Sequence, residues 1–222
     1  MEWLVVLLWG GIVGLDATSF PQVMISRPLP AAALLGALIG EPLAGALIGG
    51  LVEVFSLSSL PMGAARYPES GTAAVAATGA YAVVATGVVP PLVLLAVVFA
   101  LGWERVTGGS VAVLRRVNER IAAVDPEQRE VGAAWVTRRH LLALGLDFGR
   151  AASLTMIGWG FALVLLAAAD GDWGFRTIAA FGALAIGGAA LVGSVLPLFG
   201  RWSDRGLVFL LGLVLGIGLA LL

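Results

Sequence analysis

The sequence predicts an all-α polytopic membrane protein, a bundle of transmembrane helices in which some helices are broken or re-entrant. Of its 222 residues, 59% are hydrophobic and 12% are charged, whereas soluble domains average about 45–50% and about 25%. The mean hydropathy is +1.00. Since a spanning helix needs about 20 apolar residues, this length allows about six to eight crossings. The composition therefore excludes a soluble globular domain.

The positive charges are concentrated in one segment. All 13 strongly basic residues are arginines, and eight of them lie between Arg105 and Arg150. Because cytoplasmic loops carry the excess of basic residues, residues 104–150 are expected on the cytoplasmic face of a bacterial inner membrane. We therefore divide a single membrane domain into an N-terminal bundle (1–103), an amphipathic cytoplasmic-side segment (104–150) and C-terminal transmembrane helices (151–222).

The first apolar run, residues 3–15, ends at Asp16. It lacks a basic n-region, so we expect a retained helix and not a signal peptide. The next segment, SFPQVMISRPLP (19–30), is too polar and too rich in proline to continue as a straight helix in lipid. This pattern predicts an irregular or re-entrant piece shielded by the protein.

A following segment of spanning length is interrupted by Glu41 and Pro42, which predicts two half-helices in place of one rod. The sequence GALIG occurs at 36–40 and again at 45–49, on either side of this break. Glycines four residues apart let helix backbones approach closely. We therefore expect tight packing at Gly36, Gly40, Gly45 and Gly49, and again at Gly212 and Gly216 near the C-terminus.

The remainder of the chain contains further apolar runs separated by turns or by arginine-rich stretches. Residues 72–85 and 92–103 read as a membrane hairpin about the turn at Gly87–Pro91. Valines and an isoleucine at helical spacing predict an amphipathic helix across 104–124. The other expected pieces are a mixed segment and three helices, at 127–150, 151–169, 177–199 and 206–222.

Several charged residues lie in or beside the apolar runs of the first 70 residues. A charge at a helix centre costs about 2.5–3.5 kcal/mol on insertion scales, so each needs a partner or a function. Glu53 either forms a structural ion pair, with Arg27 or Arg66, or contacts a ligand, and the same two alternatives hold for Asp16. Arg27 and Glu41 flank prolines and are equally consistent with interfacial caps.

Arg66 and Glu69 lie in LPMGAARYPES, a turn rich in proline and glycine between apolar runs. Such backbone is tolerated at depth only where protein or a water-filled cavity shields it. His140 is read as an interfacial histidine in preference to a phosphate acceptor or proton relay. The chain has no cysteine, and we find no metal-ligand, catalytic-triad or nucleotide-binding motif and no nucleic-acid signature. No cofactor or metal is expected.

Four stretches together resemble the enzyme IIC permease subunit of the mannose/sorbose family of the bacterial phosphotransferase system. They are LD (15–16), QVMISRPL (22–29), GALIGEPLAGALIGGLVEVFSL (36–57) and MGAARYPES (62–70). The resemblance covers about the first 85 residues in order and spacing. The second half resembles the family more loosely, through His140, Arg150 and the C-terminal hydrophobic hairpin.

The resemblance implies a subunit that binds a hexose-like sugar with a IID partner and moves it inward by an elevator-like shift. Soluble IIA and IIB components would carry the phosphoryl group, so this chain would be a non-catalytic member of an oligomeric complex. Carboxylates and amides suit sugar hydroxyls. The candidate substrate-binding residues are Asp16, Gln22, Arg27, Glu53, Arg66 and Glu69.

Two other functions fit the same residues. A secondary transporter of a small polar solute would use Glu53 or Asp16 as a proton-coupled carboxylate, without phosphorylation. A non-transporting scaffold or regulator derived from the permease is the other, and Pro61 and Met62, which depart from the family pattern in the turn, favour it.

Overall fold

The structure is a computed structural model that describes residues 2–56, 68–124 and 132–170. In these ranges the chain forms α-helices and no strand, which confirms the predicted fold class. The helices are α1 (Glu2–Thr18), α2 (Pro28–Leu38), α3 (Pro42–Ser56), α4 (Ser70–Val84), α5 (Pro90–Ala122) and α6 (Ala133–Ala169). The helices expected at 177–199 and 206–222 lie outside the described residues.

The predicted break at Glu41 and Pro42 is present, because α2 ends at Leu38 and α3 begins at Pro42. Gly40 has a φ of +88°, a conformation that glycine adopts without steric cost. With 11 and 15 residues, the two helices reach only about 16 and 22 Å, less than a hydrocarbon core of about 30 Å. They form a helical hairpin that is too short to span as separate rods.

Glycines bring α2 and α3 into backbone contact. A Cβ placed on Gly45 would lie 2.5 Å from the carbonyl oxygen of Ala32, and one on Gly49 would lie 2.5 Å from that of Pro28. A Cβ on Gly36 would lie 3.1 Å from the Cα of Gly45. The packing expected of the repeat is thus confirmed at these three glycines. Gly40 instead forms the turn, and a Cβ placed on it would meet no atom within 4 Å.

Helix α4 lies at the centre of the described bundle. Every residue from Gly71 to Tyr81 is buried, and α1, α2, α3, α5 and α6 all pack against this helix. Its side chains in this stretch are mostly alanine, glycine and threonine. Small residues let neighbouring backbones approach closely in a membrane protein. The composition of α4 therefore explains how a helix of 15 residues can contact five others.

Helices α5 and α6 form a long antiparallel pair. They have 33 and 37 residues and are apolar and long enough to cross a membrane. The indole Nε1 of Trp103 donates to the carbonyl oxygen of Leu154 at 3.2 Å, and the guanidinium of Arg139 donates to the carbonyl oxygen of Ile121. Both helices are continuous, so the domain limits expected at residues 103 and 150 fall inside helices.

The turn between α4 and α5 is held by two side chains. Both carboxylate oxygens of Glu41 accept the Gly87 N–H, at 2.9 and 3.1 Å. The Tyr81 hydroxyl donates to the carbonyl oxygen of Gly87 at 2.9 Å and accepts the Val89 N–H at 2.8 Å. Glu41 therefore caps a backbone N–H group. That group belongs to the turn between α4 and α5, not to the α2–α3 hairpin that contains Glu41.

Replacing Gly45 tests the contact between α2 and α3. Gly45→Ala should destabilise the folded chain by about 1–3 kcal/mol, because the added methyl meets backbone that cannot move without separating the helices. The measurement is the thermal unfolding midpoint in detergent. Gly50→Ala in the same helix is the matched control, since its nearest neighbour would be Leu29 Cδ1 at 3.7 Å. Equal effects of the two substitutions would contradict the proposed contact.

Candidate functional site

The segment between α1 and α2 is non-helical, as predicted, and Asp16 organises it. Asp16 lies in the last turn of α1 and is 2% exposed. One carboxylate oxygen accepts the Val23 N–H at 2.6 Å, and the other accepts the Ser26 N–H at 2.9 Å. Both oxygens are thus committed to backbone donors. Asp16 fixes the course of the segment 19–27, which we call the unwound segment.

The unwound segment exposes its own side chains. Gln22 and Met24 have positive φ angles of 60° and 69°, which are uncommon for residues other than glycine. The side chain of Gln22 is exposed, and its neighbours Phe20, Val23 and Met24 are 64%, 61% and 68% exposed. An amide that can both donate and accept hydrogen bonds is thus presented beside apolar groups.

Arg27 and Glu53 form the ion pair that was one alternative for Glu53. The Nε of Arg27 lies 2.6 Å from Oε1 of Glu53. The other carboxylate oxygen accepts the Leu29 N–H at 3.0 Å, in the first turn of α2. A helix N-terminus has unsatisfied N–H groups and favours negative charge. Glu53 on α3 therefore caps α2, which accounts structurally for its position in an apolar run.

Glu69 lies directly before α4 and belongs to a buried ionic cluster with Arg150 and Asp147 of α6. The guanidinium of Arg150 donates to both carboxylate oxygens of Glu69, each at 2.9 Å. It also donates twice to Oδ1 of Asp147, at 2.8 and 3.1 Å, and once to the Ser110 hydroxyl at 2.7 Å. The side chains of Glu69, Asp147 and Arg150 are 3%, 0% and 11% exposed.

This cluster leaves no hydrogen-bond donor on Arg150 unused, because a guanidinium has five N–H groups and five contacts are present. Two carboxylates surround one cation, so the formal charge of the cluster is negative when all three groups are ionised. The remaining oxygen of Asp147 accepts the hydroxyls of Thr18 and Ser19. The cluster thereby joins α6 to the end of α1 and to the beginning of the unwound segment.

The unwound segment packs directly against the start of α4. A Cβ placed on Gly71 would overlap the carbonyl oxygen of Ser26, and one on Gly14 would lie 3.5 Å from Oε1 of Glu69. Asp16 and Glu69 therefore act on neighbouring parts of the same region. The Arg27–Glu53 pair lies at the far end of the unwound segment. Arg66 lies outside the described residues.

Sequence reasoning missed Asp147, Ser110 and Glu104. Glu104 is buried, and its Oε2 has no hydrogen-bond partner among the described residues. Its backbone carbonyl accepts the Glu69 N–H at 3.2 Å, and Thr107, one turn further along α5, donates to the carbonyl oxygen of Glu69 at 3.3 Å. The available signal was the spacing of Glu104, Thr107 and Ser110, which repeats every three residues on one face of α5.

The polar groups around the unwound segment are suited to hydrogen bonding. The region combines carboxylates, hydroxyls and an exposed amide around non-helical backbone. In the part of the chain that the structure describes, no group of three or more His, Asp or Glu side chains is placed to hold a metal ion. The carboxylates, hydroxyls and amide of this region offer hydrogen bonds to a polar ligand.

Comparison with known proteins identifies a protein family whose model matches this chain. The family model of the sorbose-specific IIC component of the phosphotransferase system (PTS) matches residues 1–121. The sorbose-specific EIIC component of the PTS from Lacticaseibacillus casei is 29% identical over 78 residues, which cover 35% of this chain and 28% of that relative. The matched region thus spans less than a third of the relative's length.

Two solved structures are similar. One, described as a membrane protein, has a TM-score of 0.66 and 18% identity, over 99% of this chain and 94% of the other. The complex of the mannose transporter ManYZ with microcin E492 has a TM-score of 0.47 and 20% identity, over 97% and 86% of the two chains. The first likeness shows a shared fold with a membrane protein.

Removing the cation of the ionic cluster should strongly destabilise the bundle. Arg150→Met should cost about 3–5 kcal/mol of unfolding free energy, because it leaves buried carboxylates without a partner. The measurement is the unfolding midpoint of the purified chain in detergent. The matched control adds Glu69→Gln and Asp147→Asn to the same chain, and this triple variant should recover part of the loss. A triple variant no more stable than Arg150→Met would contradict the role of charge.

Proposed function

The chain belongs to the family of sorbose-specific IIC components of the PTS, and we propose that it binds and translocates a hexose-like sugar as the membrane subunit of a phosphoenolpyruvate-dependent permease. It does so with a IID partner in a multi-pass arrangement in the bacterial plasma membrane. Soluble IIA and IIB components carry the phosphoryl group. The chain holds the sugar and takes no part in the covalent step.

The observation that carries this proposal is the contact between the unwound segment and the buried ionic cluster. Irregular backbone at membrane depth is stable where protein shields it or where it lines a cavity, and here Asp16 and Gly71 hold it in place. Because every N–H of Arg150 is already used, the cluster has no free donor on its cation, and each Glu69 oxygen, which accepts one hydrogen bond, can accept one more. A ligand rich in hydroxyl groups matches these acceptors.

The charge of the cluster also favours a neutral ligand. Two carboxylates and one guanidinium give a negative balance, so an anion would meet repulsion at this depth, where a charge is expensive. An unphosphorylated sugar avoids that cost. The sugar phosphate made from it would be rejected by the same carboxylates, which favours its release after phosphoryl transfer.

Different roles are proposed for the six candidate residues. Gln22, Glu53 and Glu69 contact the sugar, and Arg66, which lies outside the described residues, is proposed from the sequence alone. Asp16 and Arg27 act by positioning, because the Asp16 oxygens hold backbone N–H groups and Arg27 orients Glu53.

A second function has one observation in its favour. Glu104 is a buried acid on an apolar helix with one unpartnered carboxylate oxygen among the described residues, and intramembrane acids of this kind mark proton pathways in transporters. A proton-coupled secondary transporter would use it. In that case the chain would take up its solute alone, driven by a pH gradient and without a phosphoryl donor.

The experiment that separates these functions is a calorimetric titration of the chain, co-purified with its membrane partner, against a panel of hexoses and amino sugars. The permease predicts saturable binding of one sugar class, and weaker binding of the corresponding sugar phosphate. A stable complex that binds no sugar would contradict the proposal and would favour a scaffold. Uptake by the chain alone in liposomes, driven by pH, would favour the secondary transporter.

Gln22 offers a test with little risk to the fold, because its side chain is exposed. Gln22→Ala should weaken sugar binding by up to about tenfold, the value of one or two hydrogen bonds, with an unchanged unfolding midpoint. Met24→Ala is the matched control, since Met24 is also exposed and also has a positive φ. Equal losses of affinity in the two variants would show that Gln22 does not contact the sugar.

Glu53→Gln should abolish sugar binding, or weaken it by at least about tenfold through the loss of a charged acceptor. The variant should still insert and assemble, because the amide keeps the shape and removes a charge that insertion disfavours. Arg27→Gln breaks the same ion pair but keeps the carboxylate, so it should weaken binding less. A Glu53→Gln chain that fails to assemble would identify the ion pair as purely structural.

A further inference from the structure

The ends of α5 and α6 that meet at the arginine-rich side of the bundle extend beyond the other helices. We call residues 115–122 of α5 and 133–146 of α6 the arm. No residue of the arm is buried, whereas α5 contributes buried residues up to Leu114 and α6 from Asp147 onward. The arm thus begins where the ionic cluster ends.

Large aliphatic side chains on the arm are not covered by the other described residues. Val117, Val136, Leu141, Leu142 and Leu146 are 36%, 51%, 61%, 52% and 41% exposed. The arm places no residue in the buried core of the described bundle, whereas helical stability in proteins comes mostly from a covered apolar face. An apolar environment outside the described residues is therefore required.

The position of the arm indicates which environment this is. From Pro90 to Leu114, α5 covers about 37 Å, enough to cross a hydrocarbon core of about 30 Å. If α5 crosses the membrane over this stretch, the arm starts at the level of the lipid headgroups. Leu142 lies within about 8 Å of Asp147 along α6, which keeps the leucines near the base of the arm within that layer.

The charge of the arm is complementary to an anionic surface. The arm has five arginines, namely Arg115, Arg116, Arg120, Arg138 and Arg139, and one acidic residue, Glu119. Arg139 lies over the Trp135 ring at 4.6 Å, and tryptophan is enriched at membrane interfaces. Three further acids, Asp125, Glu127 and Glu130, belong to the link between the two helices, outside the described residues.

We propose that the arm binds the anionic phospholipid headgroups of the leaflet from which it emerges. Its leucines and valines enter the boundary between headgroups and acyl chains, and its arginines contact phosphates. On α6 the arginines lie beside tryptophan and leucine on one helical face, and long arginine side chains can lay their stems along apolar surface while the charge stays in the headgroup layer. Basic residues near an anionic leaflet are attracted by its surface potential. This inference does not depend on the proposed sugar.

The test uses a reporter at the base of the arm. Because the chain has no cysteine, Leu142→Cys provides a single thiol for the fluorophore NBD. The full chain is reconstituted in nanodiscs of phosphatidylcholine alone or with one third phosphatidylglycerol, and the rate of NBD reduction by aqueous dithionite is measured. Val98→Cys, 64% exposed in the spanning part of α5, is the reporter for permanent lipid contact. Leu141→Cys replaces Leu142→Cys if the latter does not assemble.

In anionic nanodiscs the Leu142 reporter should react slowly, and in phosphatidylcholine or at high salt it should react faster. Arg116→Gln and Arg138→Gln should each raise the rate by up to about fivefold, the factor that corresponds to the attraction of one basic residue. Glu119→Gln, which removes the acid of the same arm, should not raise it. Equal rates in both lipids would overturn the proposal. Protection that appears only on addition of a soluble partner would also overturn it.

Discussion

The bidentate contact between Arg150 and Glu69 is the interaction on which the rest of the described bundle depends. It joins the start of the central helix α4 to α6, and through Asp147, Thr18 and Ser19 it reaches the end of α1. Ser110 adds α5. A buried charge is tolerated only when it is paired and hydrogen-bonded, and here all five donors of the guanidinium are satisfied. The relative positions of four helices are thereby fixed at one point.

Broken helices in a membrane create backbone N–H groups that lipid cannot satisfy. The chain resolves this problem with acidic side chains. Asp16 accepts two N–H groups of the unwound segment, Glu53 accepts one at the start of α2, and Glu41 accepts that of Gly87. The carboxylates that lie in or beside apolar runs therefore accept hydrogen bonds from backbone N–H groups where the helices are interrupted. The remaining acceptor capacity of Glu69 is what the proposed sugar would use.

Local features of the fold could be predicted from the sequence. Proline and glycine mark each interruption, so the break at Glu41 and the non-helical residues after Asp16 were expected, as was the glycine packing of α2 on α3. The pairing of Arg27 with Glu53 was one of two alternatives. The ionic cluster could not be predicted, because Glu69 and Arg150 are 81 residues apart and only the tertiary fold brings them together. The hydropathy pattern also underestimated the lengths of α5 and α6, since arginines lower the mean hydropathy without ending a helix.

The central claim is that a sugar binds where the unwound segment meets the start of α4. Hydrogen–deuterium exchange of the assembled complex, with and without the sugar that binds most tightly, tests it most directly. We predict that sugar slows exchange in residues 19–27 and in the first turns of α4, while exchange in the arm is unchanged. Saturable binding that leaves the unwound segment unprotected, or that protects another part of the chain, would contradict this account.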